Sequence, residues 1–172
     1  MATKATKPAA KKATGSARTD PATKLLMADH KEVHAMFQQY KKLADADAEA
    51  SEREALATEI CHALTIHATI EEELFYPAAR EAEVDADLLD EAEVEHASAK
   101  ELIAQIEAMS PDDDLYDAKL TVLGEYIDHH VKEEEGELFP KCRKSDMDLE
   151  GIGEALATRK QALTAEMAEM AA

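Results

Sequence analysis

Two stretches of the chain repeat one spacing. In each, a His precedes a Glu by four residues and a Pro by ten: His67, Glu71 and Pro77, then His130, Glu134 and Pro140. On an α-helix, residues i and i+4 stack on the same face. Each copy therefore offers an imidazole and a carboxylate side by side. Such a pair is either a set of metal ligands or a buried ion pair, and the elements that carry it decide between the two.

The helices can be placed from their end signals and periodicity. Asp20-Pro21 opens the first, with Asp20 as N-cap and Pro at the first helical position. Its apolar face runs Leu26, Val33, Phe37 and Tyr40, with His30 and His34 on the same side, and it ends near Leu43. Ser51-Glu52-Arg53-Glu54 reads as a capping box for a second helix, whose face includes Leu56, Ile60, Leu64, His67, Glu71 and Leu74. Asp85 or Asp87 caps a third, with a seam of Leu89, Ala92, His96, Ala99, Ile103 and Ile106. Ser110-Pro111 predicts the start of a fourth, whose face includes Leu115, Leu123, Tyr126, Ile127, His130, Glu134 and Leu138. A fifth is expected from about Gly153 to Met170. Four long helices with short connections predict an all-α fold, an up-down-up-down antiparallel four-helix bundle with an extra C-terminal helix.

That architecture gathers the histidines. His30, His67, His96 and His130 each fall on the seam of a different helix, whereas His62 and His129 lie off it. His34 follows His30 by one turn. His30 and His96 sit about ten residues past the starts of helices one and three. His67 and His130 sit ten residues before the prolines that end helices two and four. In an antiparallel bundle these four ends coincide, so the four histidines share one level, about 15 Å from that end at 1.5 Å per residue. Four imidazoles and two carboxylates in a bundle centre would cost several kcal/mol unless ion-paired or metal-bound. The set suits a pair of borderline transition-metal ions; a Glu/His⁺ salt-bridge network is the alternative.

Composition narrows the function classes. There are 19 Lys and Arg against 38 Asp and Glu, a formal net charge of −19. This argues against general nucleic-acid or anionic-membrane binding by the folded body. Residues 1–19 differ: they carry five basic residues, no acidic one, and no Leu, Ile, Val or Phe. Such a segment is expected to be a disordered Lys/Ala/Thr/Pro-rich tail, with at most weak nucleic-acid contact, ahead of a single helical domain over residues 20–172. No apolar run approaches the ~20 residues of a membrane span, and the N-terminus lacks the apolar region of a secretory signal. The two cysteines, Cys61 and Cys142, share no metal-type spacing. The expected setting is cytoplasmic.

These residues resemble the hemerythrin-like, or HHE cation-binding, family. The matching motifs are Asp29-His30 with His34, His67-x3-Glu71 before Leu-Phe-Tyr-Pro, Glu95-His96, and His130-x3-Glu134 before Leu-Phe-Pro. The resemblance implies a non-haem centre of two iron ions, bridged by carboxylates and an oxo group. Its ligands would be His30, His34, His67, His96 and His130, with Glu71 and Glu134 as bridges; manganese and zinc are the alternative metals. It further implies binding, sensing or consumption of O2, peroxide or nitric oxide. Iron storage, an iron-responsive interaction module and a di-iron peroxidase or oxidase are the competing readings. The chain differs from the oxygen carriers of the family, which pair their histidines on the third helix. Here the residue one turn after His96 is Lys100, and the pair lies on helix one. Its fourth-helix carboxylate is a Glu at i+4, where the carriers have an Asp one residue further. Tyr126 and Lys100 are candidates for tuning the centre from outside the ligand set.

Overall fold

Asp20 caps the first helix as its sequence demands, its carboxylate accepting the backbone N–H of Thr23 at 3.0 Å. The computed structural model describes residues 20–170; the tail expected over residues 1–19 lies outside them. Helix α1 spans Pro21–Asp45. The second rod is continuous but composite: α2 (Ala50–Ile70), a π-helical turn π1 (Glu71–Phe75) and α3 (Tyr76–Glu81). Helix α4 covers Ala86–Glu107. The fourth rod repeats the second, with α5 (Tyr116–Glu133), π2 (Glu134–Leu138) and α6 (Phe139–Lys144). Helix α7 is Leu149–Met170. No strand occurs among the described residues. Among the described residues no helix is long and apolar enough to cross a membrane.

Helix α1 packs against α2 and α5, and α4 packs against the same two, which closes the ring α1–α2–α4–α5 expected of the bundle. Helix α7 lies outside that ring, against α1 and α2. Gly153 lets it come close. A Cβ added there would stand 2.7 Å from Pro21 Cγ and 2.8 Å from the Ala22 backbone nitrogen. Gly153→Ala is therefore expected to destabilise, by about 1–3 kcal/mol of overpacking, against a helix-propensity gain of at most about 1 kcal/mol. Denaturant titration checks this, the expected result being a lower midpoint.

Three starts differ from the sequence reading, the last helix beginning at Leu149, four residues before the expected Gly153. Helix α2 begins at Ala50 after Glu49, and no side-chain cap from Ser51 forms. Helix α5 begins at Tyr116, not beside Pro111, because Ser110 and Asp113 close a turn of their own. The Asp113 carboxylate accepts the Ser110 N–H at 2.8 Å, and the Asp113 N–H donates to the Ser110 carbonyl at 2.9 Å. Such local side-chain bonds compete with helix formation. Leu115 then turns into the left-handed region at φ 73° and is exposed, off the predicted face. Asp85, one of the two expected caps, starts α4 by accepting the Leu88 N–H at 3.3 Å.

The core is divided in two. One apolar cluster contains Leu26, Ile70, Phe75, Leu89 and Phe139. The other contains Val33, Ile60, Leu64, Ile103, Leu120 and Leu123. Between them lies a layer of buried His and Glu side chains.

Candidate metal centre

The layer draws on all four rods. His30 comes from α1, His67 from α2, His96 from α4 and His130 from α5; each is at most 7% exposed. Glu71 and Glu134, at the junctions of α2 with π1 and α5 with π2, are fully or almost fully buried. Both π turns have one cause. The Glu71 N–H still donates to the His67 carbonyl in α-helical register, but the Tyr76 N–H reaches five residues back to the Glu71 carbonyl. Phe139 does the same to Glu134. Pro77 and Pro140 come next; each lacks an N–H and would crowd the carbonyl four residues before it in an unbroken α-helix. The wider turn takes up this conflict directly after each inward-pointing carboxylate. Single π turns of this kind concentrate at functional sites.

The imidazoles form two pairs. His30 Nε2 lies 3.1 Å from His67 Nε2, and His96 Nε2 lies 3.1 Å from His130 Nε2. Glu71 spans the pairs, with Oε1 3.2 Å from His67 Nε2 and Oε2 3.3 Å from His96 Nε2. Glu134 places Oε2 between them, 3.2 Å from His30 Nε2 and 3.5 Å from His130 Nε2. These spacings match the edges of a coordination polyhedron. Ligands held ~2.1 Å from one ion at roughly right to tetrahedral angles stand about 3.0–3.4 Å apart. Glu71 Oε1 and Glu134 Oε2 are buried without a hydrogen-bond partner, although imidazole nitrogens stand close. Buried carboxylate oxygens that lack donors are costly unless a cation supplies the missing interaction. The ligating atoms of His30, His67, Glu71 and Glu134 lie within 4.8 Å of one another, as do those of Glu71, His96 and His130. Two ions with Glu71 shared between them fit this donor set.

Every imidazole in the layer is held from behind. His30 Nδ1 is 2.9 Å from Glu135, His67 Nδ1 3.4 Å from Asp29, His96 Nδ1 2.9 Å from Glu72 and His130 Nδ1 2.7 Å from Glu95. A carboxylate on Nδ1 fixes the ring and leaves Nε2 facing inward, the arrangement that orients metal-binding histidines. The four carboxylates obey the repeat: Asp29 and Glu95 immediately precede His30 and His96, and Glu72 and Glu135 immediately follow Glu71 and Glu134. Two of them are anchored further out, Asp29 by Lys160 of α7 at 2.6 Å and Glu72 by Lys100 at 2.6 Å. Lys100 thus reaches the centre only through Glu72 and His96.

One position breaks the symmetry. Tyr76 in the second rod corresponds to Phe139 in the fourth. The Tyr76 hydroxyl donates to Glu134 Oε1 at 2.8 Å and lies 3.4 Å from Glu71 Oε2 and 3.2 Å from His96 Nε2. Phe139 offers no polar atom and stacks parallel to His30, the rings 5.8 Å apart.

Not every expected ligand arrives. His34 is exposed, with Nδ1 3.1 Å from Asp128 at the surface. The layer is one residue deep, and a further helical turn carries the side chain about 6 Å along the axis and away from it. Of the seven residues expected as ligands, four histidines and two glutamates stand in contact and His34 stands apart from them. Tyr126 is half-exposed and does not join the layer. The sequence reading missed Glu72, Glu135 and Tyr76 altogether, and gave Asp29 and Glu95 no role. The duplicated acid at matching positions was the signal for the four carboxylates.

The charges in the layer are coupled. Burial disfavours a charged His67, but the Glu71 carboxylate and the bond to Asp29 outweigh it and raise the imidazole to about 10. His130 is raised to about 9 in the same way, burial being outweighed by Glu134 and Glu95. Glu71 is held well below the usual carboxylate range: His67 and His96 overcome its burial. Burial and the carboxylates of Glu71 and Glu134 push the Tyr76 phenol well above its ordinary value. Without metal the layer is thus an imidazolium–carboxylate network. Because His67 and His130 hold protons more tightly when folded, their stabilisation is complete below about 6.5. It should be lost as pH rises through about 9 to 10. Metal uptake should show the opposite slope in the same window, since ligation displaces those protons. Melting curves of the metal-free chain and equilibrium dialysis of metal between pH 6 and 10 check both signs.

A family model for the hemerythrin HHE cation-binding domain matches residues 22–142. A curated relative, a "DNA nickase" of Nostoc sp., is 29% identical over 117 residues, covering 68% of this chain and 32% of its own length. The chain therefore spans about a third of that relative. A crystal structure of a hemerythrin HHE cation-binding domain-containing protein from Mycobacterium kansasii superposes with a TM-score of 0.70 at 24% identity, over 86% of this chain and 89% of that one.

Proposed function

From the premise that this chain belongs to the hemerythrin HHE cation-binding domain family, we propose that it holds two non-haem iron ions in the His/Glu layer and uses them to bind, sense or consume O2, peroxide or nitric oxide. The observation that carries the reading is the pair of imidazole pairs joined by Glu71, each ring fixed by a carboxylate on Nδ1, around two buried carboxylate oxygens that lack hydrogen-bond donors. When bound, the two irons would supply one-electron chemistry and open coordination positions.

The chain's own residues set what reaches them. On the side away from Tyr76, all four histidines face a cavity of about 30 Å³ walled by Val33, Leu64, Ala99, Ile103 and Ile127. That volume admits a water-sized or diatomic molecule, and its apolar walls favour a small apolar guest over an ion. Filling it should slow access without displacing the ligands. Ala99→Leu is expected to retain both ions and to slow the absorbance change on mixing the reduced protein with nitric oxide by about tenfold or more, a ~1.4 kcal/mol rise in barrier. An unchanged rate would place the access route elsewhere.

Tyr76 favours a second reading, a di-iron peroxidase or oxidase. Its hydroxyl holds a proton against Glu134 Oε1 inside the buried layer, where it can pass that proton to the carboxylate. Turnover separates the readings. A binder or sensor removes peroxide no faster than the same concentration of free iron, whereas an enzyme exceeds it and Tyr76→Phe lowers its rate. The proposal as a whole is tested by elemental analysis and the absorption spectrum of the reduced protein before and after air. Two irons per chain with near-ultraviolet charge-transfer bands after air are expected; a chain without stoichiometric metal would overturn it.

A further inference from the structure

The internal repeat relates α1 and α2 to α4 and α5, but the outer surfaces of the two halves differ. On the first half, α7 covers the groove, and Asp29 uses one oxygen on His67 and the other on the Lys160 ammonium at 2.6 Å. The equivalent carboxylate on the second half, Glu95, likewise uses one oxygen on His130 at 2.7 Å. Its other oxygen meets no lysine. Glu95 Oε1 stands 3.6 Å from His129 Nε2, and His129 Nε2 stands 3.4 Å from Glu133 Oε1. Each half thus has a carboxylate whose second oxygen is turned from the imidazole it holds. In the first half that oxygen meets a lysine; in the second it meets His129, which also meets Glu133.

We propose that Glu95, His129 and Glu133 form a surface site for a divalent transition-metal ion, separate from the buried layer and joined to it through the Glu95 carboxylate. The geometry fits. One ligating atom from each residue lies within 4.8 Å of the others. The separations of 3.4 and 3.6 Å agree with the ~3.4 Å edge of a tetrahedron whose ligands stand about 2.1 Å from zinc-like ions. His129 and Glu133 are one turn apart on α5, so their register is fixed by the helix. Glu95 is fixed by its bond to His130 and is only 26% exposed. The remaining positions open on a depression walled by Asp90, Glu91 and Val94, which leaves room for water ligands and adds negative potential. Among the described residues no lysine or arginine forms an ion pair with Glu95 or Glu133. A mixed imidazole and carboxylate set selects borderline ions such as Zn²⁺, Co²⁺ or Fe²⁺ over Mg²⁺.

The test is titration of the metal-free full chain with Co²⁺, followed by its visible absorption and by equilibrium dialysis. The expected isotherm has a tight class from the buried layer and one weaker ion. His129→Ala, and separately Glu133→Gln, should weaken that ion at least tenfold and leave the tight class unchanged; the His129 side chain is 67% exposed and Glu133→Gln keeps the side-chain volume, so the variants keep the fold. Glu71→Gln should do the reverse, taking one or both ions from the tight class and retaining the weaker ion. If no tight class appears while the weak ion remains and depends on His129, the buried-centre reading fails and the surface site stands. A wild-type isotherm with no weaker class, or one unchanged in His129→Ala, overturns the proposal.

Discussion

Glu71→Gln is expected to reduce the metal content of the purified protein from two ions per chain to one or none. Glu71 is the one residue common to both ligand groups, with separate oxygens toward His67 and His96. The amide keeps the volume, so no cavity opens, but it replaces one of the two anionic oxygens with an NH2 that no metal accepts. It also removes the charge that holds His67 protonated in the metal-free chain. Breaking a buried ion pair on one side typically costs about 3–5 kcal/mol, so the variant should also melt earlier than the metal-free wild type. Metal analysis and a melting curve on the same sample check both effects. Full occupancy with an unchanged melting temperature would show that Glu71 is only a packing residue.

Chelation should have the second large effect. Ligands that bind only the folded state stabilise it by about 4 kcal/mol at a free concentration 1,000 times the dissociation constant. For a chain of 150–250 residues, 1 kcal/mol corresponds to about 2–4 °C. Stripping the buried layer should therefore lower the melting temperature by about 8–16 °C for each ion lost under such conditions, and returning Fe²⁺ without oxygen should restore it. The loss should be smaller at pH 6 than at pH 9. At the lower pH, the protonated His67 and His130 partly stand in for the missing metal. A melting curve indifferent to chelator would favour a self-sufficient ion-pair network over a metal centre.

Much of this was legible in the sequence, for a specific reason. Periodicity records which residues face inward, and the caps and prolines record depth, so His30, His67, His96 and His130 could be set at one level before any coordinates. His34 shows the limit of periodicity. It shares a face with His30, but the layer has no second storey, and Asp128 on α5 offers it a partner at the surface. Tyr76 shows the opposite failure. It is nine residues past His67, and at 100° per residue an unbroken α-helix would turn it to the far side of the rod. The π turn inserts one residue's worth of rotation and brings the phenol back to Glu134. Helical templates do not contain that step, although Pro77 and Pro140, at the same distance from each Glu, were its trace. The acids behind the rings were hidden by abundance: in a chain with 38 Asp and Glu, Glu72 and Glu135 read as solvated surface until their partners are seen. The start of α5 was lost to the Ser110–Asp113 turn, which carries the same residue types as a helix cap.

An anomalous difference map from crystals of the iron-loaded protein, collected at the iron edge, tests most directly whether two metal ions are held between the histidine pairs. Two peaks are predicted in the buried layer, one between His30 and His67 and one between His96 and His130. A single peak, or iron only outside the layer, would contradict it.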